Sequence, residues 1–144
     1  MSTTTAPIRH DLTIPDVFQS LMNVHETVGS HGFSKTIHHL VHLRASQING
    51  CAFCVKMHTR EAREDGERSD RLDRLVVWPH VSDFSEAEKA ALAWTEALTV
   101  LDAKTDYAAL RARLRAVFSD KEISVLTSTI ALVNLWNRIQ ISGH

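Results

Sequence analysis

Three features of the chain predict an all-α fold. Apolar residues recur at three- and four-residue intervals through most of the sequence, as one face of a helix requires. No useful length alternates with period two, Leu75-Val-Val-Trp78 being the one ambiguous run. Breakers are sparse, with three prolines and five glycines in 144 residues. Together they predict a helical bundle of about six to seven helices in a single domain over 1–144.

The elements follow in order. Pro15 suits a first helical position, where its fixed φ is pre-organised and its missing N–H is not needed. Phe18, Leu21, Met22 and His25 continue that helix, and the stretch from Gly29 to Gly32 ends it. A second helix starts at Ser34 and places Ile37, Leu40, Val41, Ala45 and Ile48 on one arc before Asn49-Gly50. The third carries both cysteines and stops near Gly66, a suitable C-terminal cap. A fourth runs from about Ser69 through Leu72, Leu75 and Val76 and must end before Pro79. Ser85-Glu-Ala-Glu88 is a capping box that opens a fifth through Leu92, Trp94, Ala97 and Leu98. Asp106 to Val117 reads as a further helix, and a second capping box, Ser119-Asp-Lys-Glu122, opens the last, to about Ile141.

Charge is balanced, 16 Lys plus Arg against 17 Asp plus Glu, so neither nucleic acid nor an anionic membrane is an expected partner. Small molecules and copies of the same chain are. Met1-Ser-Thr-Thr-Thr-Ala-Pro7 lacks the basic and apolar regions of a signal peptide, and no apolar run approaches the ~20 residues of a membrane span. A reducing cytoplasmic setting is the expectation, in which a dithiol cycles. No glycine-rich phosphate loop occurs, so no nucleotide cofactor is expected.

Both cysteines fall in Cys51-Ala-Phe-Cys54-Val-Lys-Met-His58. On a helix the three- and four-residue spacings put Cys51, Cys54 and His58 on one face. A helix starting just after Asn49-Gly50 holds the thiols in its first turns, where unpaired N–H groups and the positive dipole end stabilise a thiolate. Three readings are open: a redox dithiol, part of a zinc site with His58, or two buried apolar residues. Zinc lacks a second Cys-x-x-Cys to close a structural site. Three ligands along one continuous helix also converge poorly on a tetrahedral centre. Redox chemistry is the reading we carry forward, with no metal or cofactor.

Leu43-Arg-Ala-Ser-Gln-Ile-Asn-Gly-Cys51-Ala-Phe-Cys54-Val-Lys-Met-His58-Thr-Arg-Glu-Ala resembles the core of the carboxymuconolactone decarboxylase superfamily, specifically its alkylhydroperoxidase D-like (AhpD-like) branch. Asp83-Phe-Ser-Glu-Ala-Glu-Lys-Ala-Ala-Leu-Ala-Trp94-Thr-Glu96-Ala-Leu-Thr and Ala131-Leu-Val-Asn134-Leu-Trp136-Asn137-Arg138 extend the resemblance in the same order. It implies an all-helical subunit that assembles as a homo-oligomer, a hexamer or another multiple of dimers. It also implies thiol-dependent peroxidase or disulfide-reducing activity, with a peroxide as substrate and a separate thiol or dithiol as reductant. Carried over by position, Cys54 attacks the peroxide, Cys51 resolves the sulfenic acid as a reversible Cys51–Cys54 disulfide, and His58 belongs to a proton relay.

The resemblance departs at one position. Twelve residues before the first cysteine the family commonly has a relay glutamate, and this chain has His39, which can move protons but supplies no negative charge. The plainer reading of His39, with His42 and Ser46, is a solvated helix face; a His38–His42 metal pair would lack a third ligand. Trp78, Trp94 and Trp136 read as core or subunit-contact residues. Glu61, Arg63, Glu64, Asp65, Glu67 and Arg68 read as a solvated charged face with local pairs. Asn134, Asn137 and Arg138 either cap backbone groups or line a contact. His25, His31 and His80 have no recognisable partner spacing. Two other functions compete: a lyase or isomerase acting on a carboxymuconolactone-type substrate, and a non-catalytic redox-sensing oligomer.

Overall fold

The computed structural model describes residues 4–143, which are helical with no strand among them. The α-helices are α1 (His10–Thr13), α2 (Pro15–Gly29), α3 (Lys35–Asn49), α4 (Ala52–Glu64), α5 (Ser69–Arg74), α6 (Glu86–Thr99), α7 (Tyr107–Arg115) and α8 (Asp120–Gly143). A 3-10 segment, Leu75–His80, joins α5 to α6. The all-α expectation holds, but the count of six to seven helices was low. A single turn, α1, precedes Pro15 and adds the eighth helix. The helix expected to end just before Pro79 stops at Arg74 and continues as the 3-10 segment, inside which Val77 leaves helical geometry (φ −118°, ψ 24°).

Caps set most boundaries. Ser34 Oγ accepts the Ile37 N–H at 3.3 Å, and the Ser85–Glu88 capping box is made in both directions. Ser119 Oγ accepts the Glu122 N–H at 3.1 Å, the second box. Gly50 closes α3 at φ 69°, a left-handed conformation that glycine adopts without Cβ strain. Its N–H donates to Gln47 O at 3.2 Å and the Cys51 N–H to Ser46 O at 3.1 Å, the paired bonds of a Schellman motif. Only Gly50 and Cys51 therefore separate α3 from α4.

Helix α3 is the axle of the fold and packs against α4, α6 and α8. Its Ile37 and Val41 join Ala90, Ala91 and Trp94 of α6, Leu114 of α7, and Leu126 and Ile130 of α8 in one core cluster. Leu40 and Leu43, on another side, join Ala62 of α4, Leu72, Leu75, Trp78, Phe84 and Leu92 in a second. Each such fully buried Leu or Val contributes about 1.5–3 kcal/mol of transfer free energy. Trp78 and Trp94 are core residues, as expected, and satisfy their indole N–H groups on Glu96 Oε2 (3.1 Å) and Thr127 Oγ1 (2.9 Å). Trp136 is partly buried and stacks on Phe18 of α2 at 5.9 Å.

A third stripe of α3 is polar and buried. His39, His42 and Ser46 are each at most 8% exposed, which overturns the solvated-face reading. Spaced at three and four residues, they line one side of α3, which is covered on several sides by its neighbours. The expected charged face with local pairs holds at Arg63, Glu64, Asp65 and Arg68, which are exposed, and fails at Glu67, whose side chain is buried in an ion pair. Glu67 accepts from Arg71 Nε at 2.8 Å, and Arg71 also binds Glu88 of α6, so the turn after α4 is tied to α6 through buried charge. Burial pushes the Glu88 carboxyl up, and Arg71 together with the hydrogen bonds of Ser85 more than offsets that, leaving it lowered. Among the described residues, no helix is long and apolar enough to cross a membrane.

Candidate active site

The site is built on the α3–α4 turn. Cys51 is the N-cap of α4, and its Sγ accepts the Cys54 N–H at 3.3 Å. Cys54 is the third residue of the helix, inside the first turn and near its positive end. A disulfide joins Cys51 and Cys54, whose Cα atoms are 5.2 Å apart, and both residues are 2% exposed. His58 follows one turn after Cys54 on the same side of α4 and is buried as well.

Across from it, α3 supplies the rest. The His42 and His58 rings lie 4.8 Å apart between centroids, bridging the two helices. His42 stacks in turn on His38 at 4.0 Å, and His38 meets His39 edge-on at 5.8 Å. His42 Nδ1 is 2.8 Å from His38 O, which makes it the protonated nitrogen of a neutral ring. His39 Nε2 is 2.6 Å from Asp65 Oδ2, at the end of α4, and Asp65 Oδ1 accepts from Lys35 Nζ at 3.2 Å. His39 Nδ1 is buried with no hydrogen-bond partner. A cavity of about 260 Å³ opens along this row, lined by His25, His38, His39 and His42.

Burial dominates the electrostatics. It pushes His58 down to about 4 from an ordinary 6.5, with the neighbouring His38, His39 and His25 adding to the shift. His38 falls to about 4 by burial and by the proximity of His39 and His25. His42, fully enclosed, lies well below the usual imidazole range for the same first reason. Asp65 is lowered by its hydrogen bonds to His39 and Lys35. At neutral pH, therefore, His58 is an uncharged imidazole able to accept a proton. Its Nδ1 is 3.6 Å from Glu61 Oε2, too far for a hydrogen bond.

A polar brace fixes the turn that carries the sulfurs. Asn49 Nδ2 donates to Asn134 Oδ1 and Asn137 Oδ1, each at 2.9 Å, and Asn137 Nδ2 donates to Ser46 Oγ at 3.0 Å. The asparagines of α8 thus hold the last turn of α3 directly ahead of Gly50, which answers the question the sequence left open about Asn134 and Asn137. Arg138 donates back to Asn134 O at 3.1 Å.

The structure brings Cys51, Cys54 and His58 together and links His58 to α3 through His42 rather than through His39 directly. Sequence reasoning missed Asp65 as the partner of His39, and His25 as part of the cavity. A signal for Asp65 was present: it stands seven residues after His58, two turns on along the same face of α4. His25 had none, because it comes from α2, a separate helix. Among the described residues, no group of three or more His, Cys, Asp or Glu side chains is placed to hold a metal ion.

A dithiol at the start of a helix, backed by buried imidazoles, within an all-helical fold defines a class, and comparison with known proteins agrees. The chain belongs to the carboxymuconolactone decarboxylase family, whose model matches residues 15–97, from α2 through the dithiol into α6. It is 34% identical over 128 residues to the uncharacterized protein YdfG of Bacillus subtilis (strain 168), spanning 89% of this chain and 87% of that one. Among solved structures it resembles ATU0492 of Agrobacterium tumefaciens, a protein of unknown function regarded as a candidate antioxidant defence protein AhpD. The TM-score is 0.89 at 37% identity, covering 96% of this chain and 95% of that one. The debrominase Bmp8, solved with 2,3,4-tribromopyrrole, shares the fold at TM-score 0.79 and 15% identity, over 98% of this chain and 89% of its own. The fold is AhpD-like.

Proposed function

We propose that the protein is a thiol-dependent oxidoreductase that reduces a peroxide with Cys54 and Cys51. The observation that carries this reading is the Cys51–Cys54 disulfide set at the start of α4, with the neutral imidazole of His58 one turn along. Similarity to ATU0492, a candidate antioxidant defence protein, supports it.

In the reduced protein, His58 accepts the Cys54 thiol proton, and the first turn of α4 stabilises the resulting thiolate. The thiolate attacks the peroxide O–O bond; one oxygen stays on sulfur as the sulfenic acid, and the other leaves as alcohol or water. Cys51 then attacks Cys54 sulfur, the disulfide forms, and water departs. A thiol reductant returns the pair to the dithiol. His42 and His38 extend the proton path away from His58, with His39 and Asp65 at its far end.

The test is a free-thiol count on reduced protein before and after one equivalent of peroxide, with mass spectrometry locating the bond. Loss of two thiols to a Cys51–Cys54 disulfide is the expected result. Two thiols still titrating would overturn the reading. Cys54→Ser should abolish peroxide consumption, whereas Cys51→Ser should allow one attack and stop at the sulfenic or overoxidised state.

A further inference from the structure

We propose that the cleft beside Cys51 is where the reductant binds, and that this reductant is a low-molecular-weight thiol bearing a carboxylate. The inference rests on the redox reading of the Cys51–Cys54 pair and adds the chemistry of the molecule that reopens it.

The two cysteines are equally buried, each 2% exposed, but only one of them borders a cleft. Cys51 lines a cleft of about 620 Å³ between α4 and the end of α8, and Cys54 does not line it. That volume is in the range of small-molecule sites rather than of a macromolecular interface. Its apolar wall includes Phe53, Met57 and Ile141, with Phe53 49% and Ile141 45% exposed. Its charged lining is Lys56 and Arg60, four residues apart on one face of α4, and no aspartate or glutamate lines it. The carboxylate paired with Arg60 is Glu64, at 3.9 Å with both side chains about two-thirds exposed, a weak and solvated pair. Lys56 lies about 7.5 Å along the helix axis from Cys51 and Arg60 one turn further, from the 1.5 Å rise per residue. A short thiol with a terminal carboxylate matches that length, its sulfur at the Cys51 end of the cleft and its carboxylate on a cation, and contact with the buried Cys51 Sγ requires a small local opening.

The leaving group agrees with this direction of approach. A thiolate RS⁻ in the cleft attacks Cys51 Sγ; the S–S bond breaks, and Cys54 leaves as a thiolate in the first turn of α4, where the helix end stabilises it. The product is a mixed disulfide between Cys51 and R. A second RS⁻ attacks the R sulfur, releasing RSSR and the Cys51 thiolate. Protons given up by the two RSH molecules return to Cys51 and Cys54, so two thiols are oxidised and one disulfide is reduced.

The experiment measures the rate of reduction of the oxidised full-length protein, without peroxide, by 3-mercaptopropionate, 2-mercaptoethanol and cysteamine at low ionic strength. Each rate is divided by that for the same thiol acting on a linear peptide carrying the same Cys-Ala-Phe-Cys disulfide, which removes differences in intrinsic reactivity. We expect the order carboxylate, neutral, ammonium, with the carboxylate favoured over the neutral thiol by about fivefold and less at high salt. Lys56→Glu/Arg60→Glu, a change at two exposed positions, should reverse the order of carboxylate and ammonium thiols. Equal normalised rates for the three thiols, or a carboxylate preference that survives the double substitution, would overturn the inference and leave the redox reading standing. Failure of every thiol to open the disulfide would overturn both.

Discussion

His39 Nε2 and Asp65 Oδ2 are 2.6 Å apart, joining the middle of α3 to the end of α4. At the position where the family resemblance leads one to expect a relay glutamate, this chain has an imidazole backed by a carboxylate from 26 residues away. The negative charge missing from position 39 is restored one side chain further out.

If that carboxylate orients His39 and biases the row of imidazoles, Asp65→Asn should slow Cys54 oxidation roughly three- to tenfold, the scale of one charge-assisted hydrogen bond. It should also shift the pH profile of the reaction. The check is the second-order rate of peroxide reaction from pH 5 to 9. His39→Glu alone sets two carboxylates against each other and should be slow, whereas His39→Glu/Asp65→Asn should recover most of the rate. Superimposable profiles for wild type and Asp65→Asn would place the pair outside the relay.

The buried imidazoles make stability depend on pH. His38 and His58 are held near 4 in the folded chain against 6.5 when unfolded, so between those values the unfolded state binds more protons. Their contribution is intact above about pH 6.5 and is lost as pH falls toward 4. Each costs about 2 kcal/mol at pH 5 by that linkage. Urea unfolding at pH 7.5, 6 and 5 should show the decline, and His58→Leu should flatten it. A midpoint that stays level from pH 7.5 to 5 would count against neutral burial.

Asn137 is fully buried and carries the brace between α8 and the end of α3. Asn137→Ala removes one of the two acceptors of Asn49 Nδ2 and the donor to Ser46 Oγ, leaving Asn49 on Asn134 and Ser46 on His42 O, and opens a cavity, and we expect a loss of about 2–4 kcal/mol by chemical denaturation. Because the brace positions the Gly50–Cys51 turn, reactivity of the dithiol should fall in the same variant at temperatures where it remains folded. Destabilisation below 1 kcal/mol would mean that the network is dispensable.

Assembly is predicted by α2, which among its described residues buries none within the chain. Val17 (45% exposed), Met22 (42%) and Val24 (48%) present apolar surface that a second copy can cover. Light scattering at micromolar concentration should give a multiple of the 16.2 kDa chain, and Val24→Glu should lower it. A mass near the single chain for the unaltered protein would refute this.

Much of the fold was legible because its signals are local. Ser85 and Glu88, Ser119 and Glu122, Ser34 and Gly50 mark boundaries through bonds that span a few residues, and each formed as expected. The dithiol was legible for the same reason, all three of its residues sharing one face of α4. Burial of His39, His42 and Ser46 was not, because polarity argues for solvent unless other helices happen to cover that side. Asp65 was half legible: its spacing of two turns from His58 is in the sequence, but only the imidazole it meets on α3 sets it apart from five other charged residues, and that meeting is tertiary.

Cys51 is both half of the disulfide and the cap of α4. The sulfur that accepts the Cys54 N–H is tethered to Cys54 Sγ by the disulfide, and a free Cys51 thiol, itself a weak acceptor, is released from that tether. One atom therefore serves both the redox couple and the start of the helix, and hydrogen exchange at the Cys54 amide should differ between the oxidised and the reduced chain.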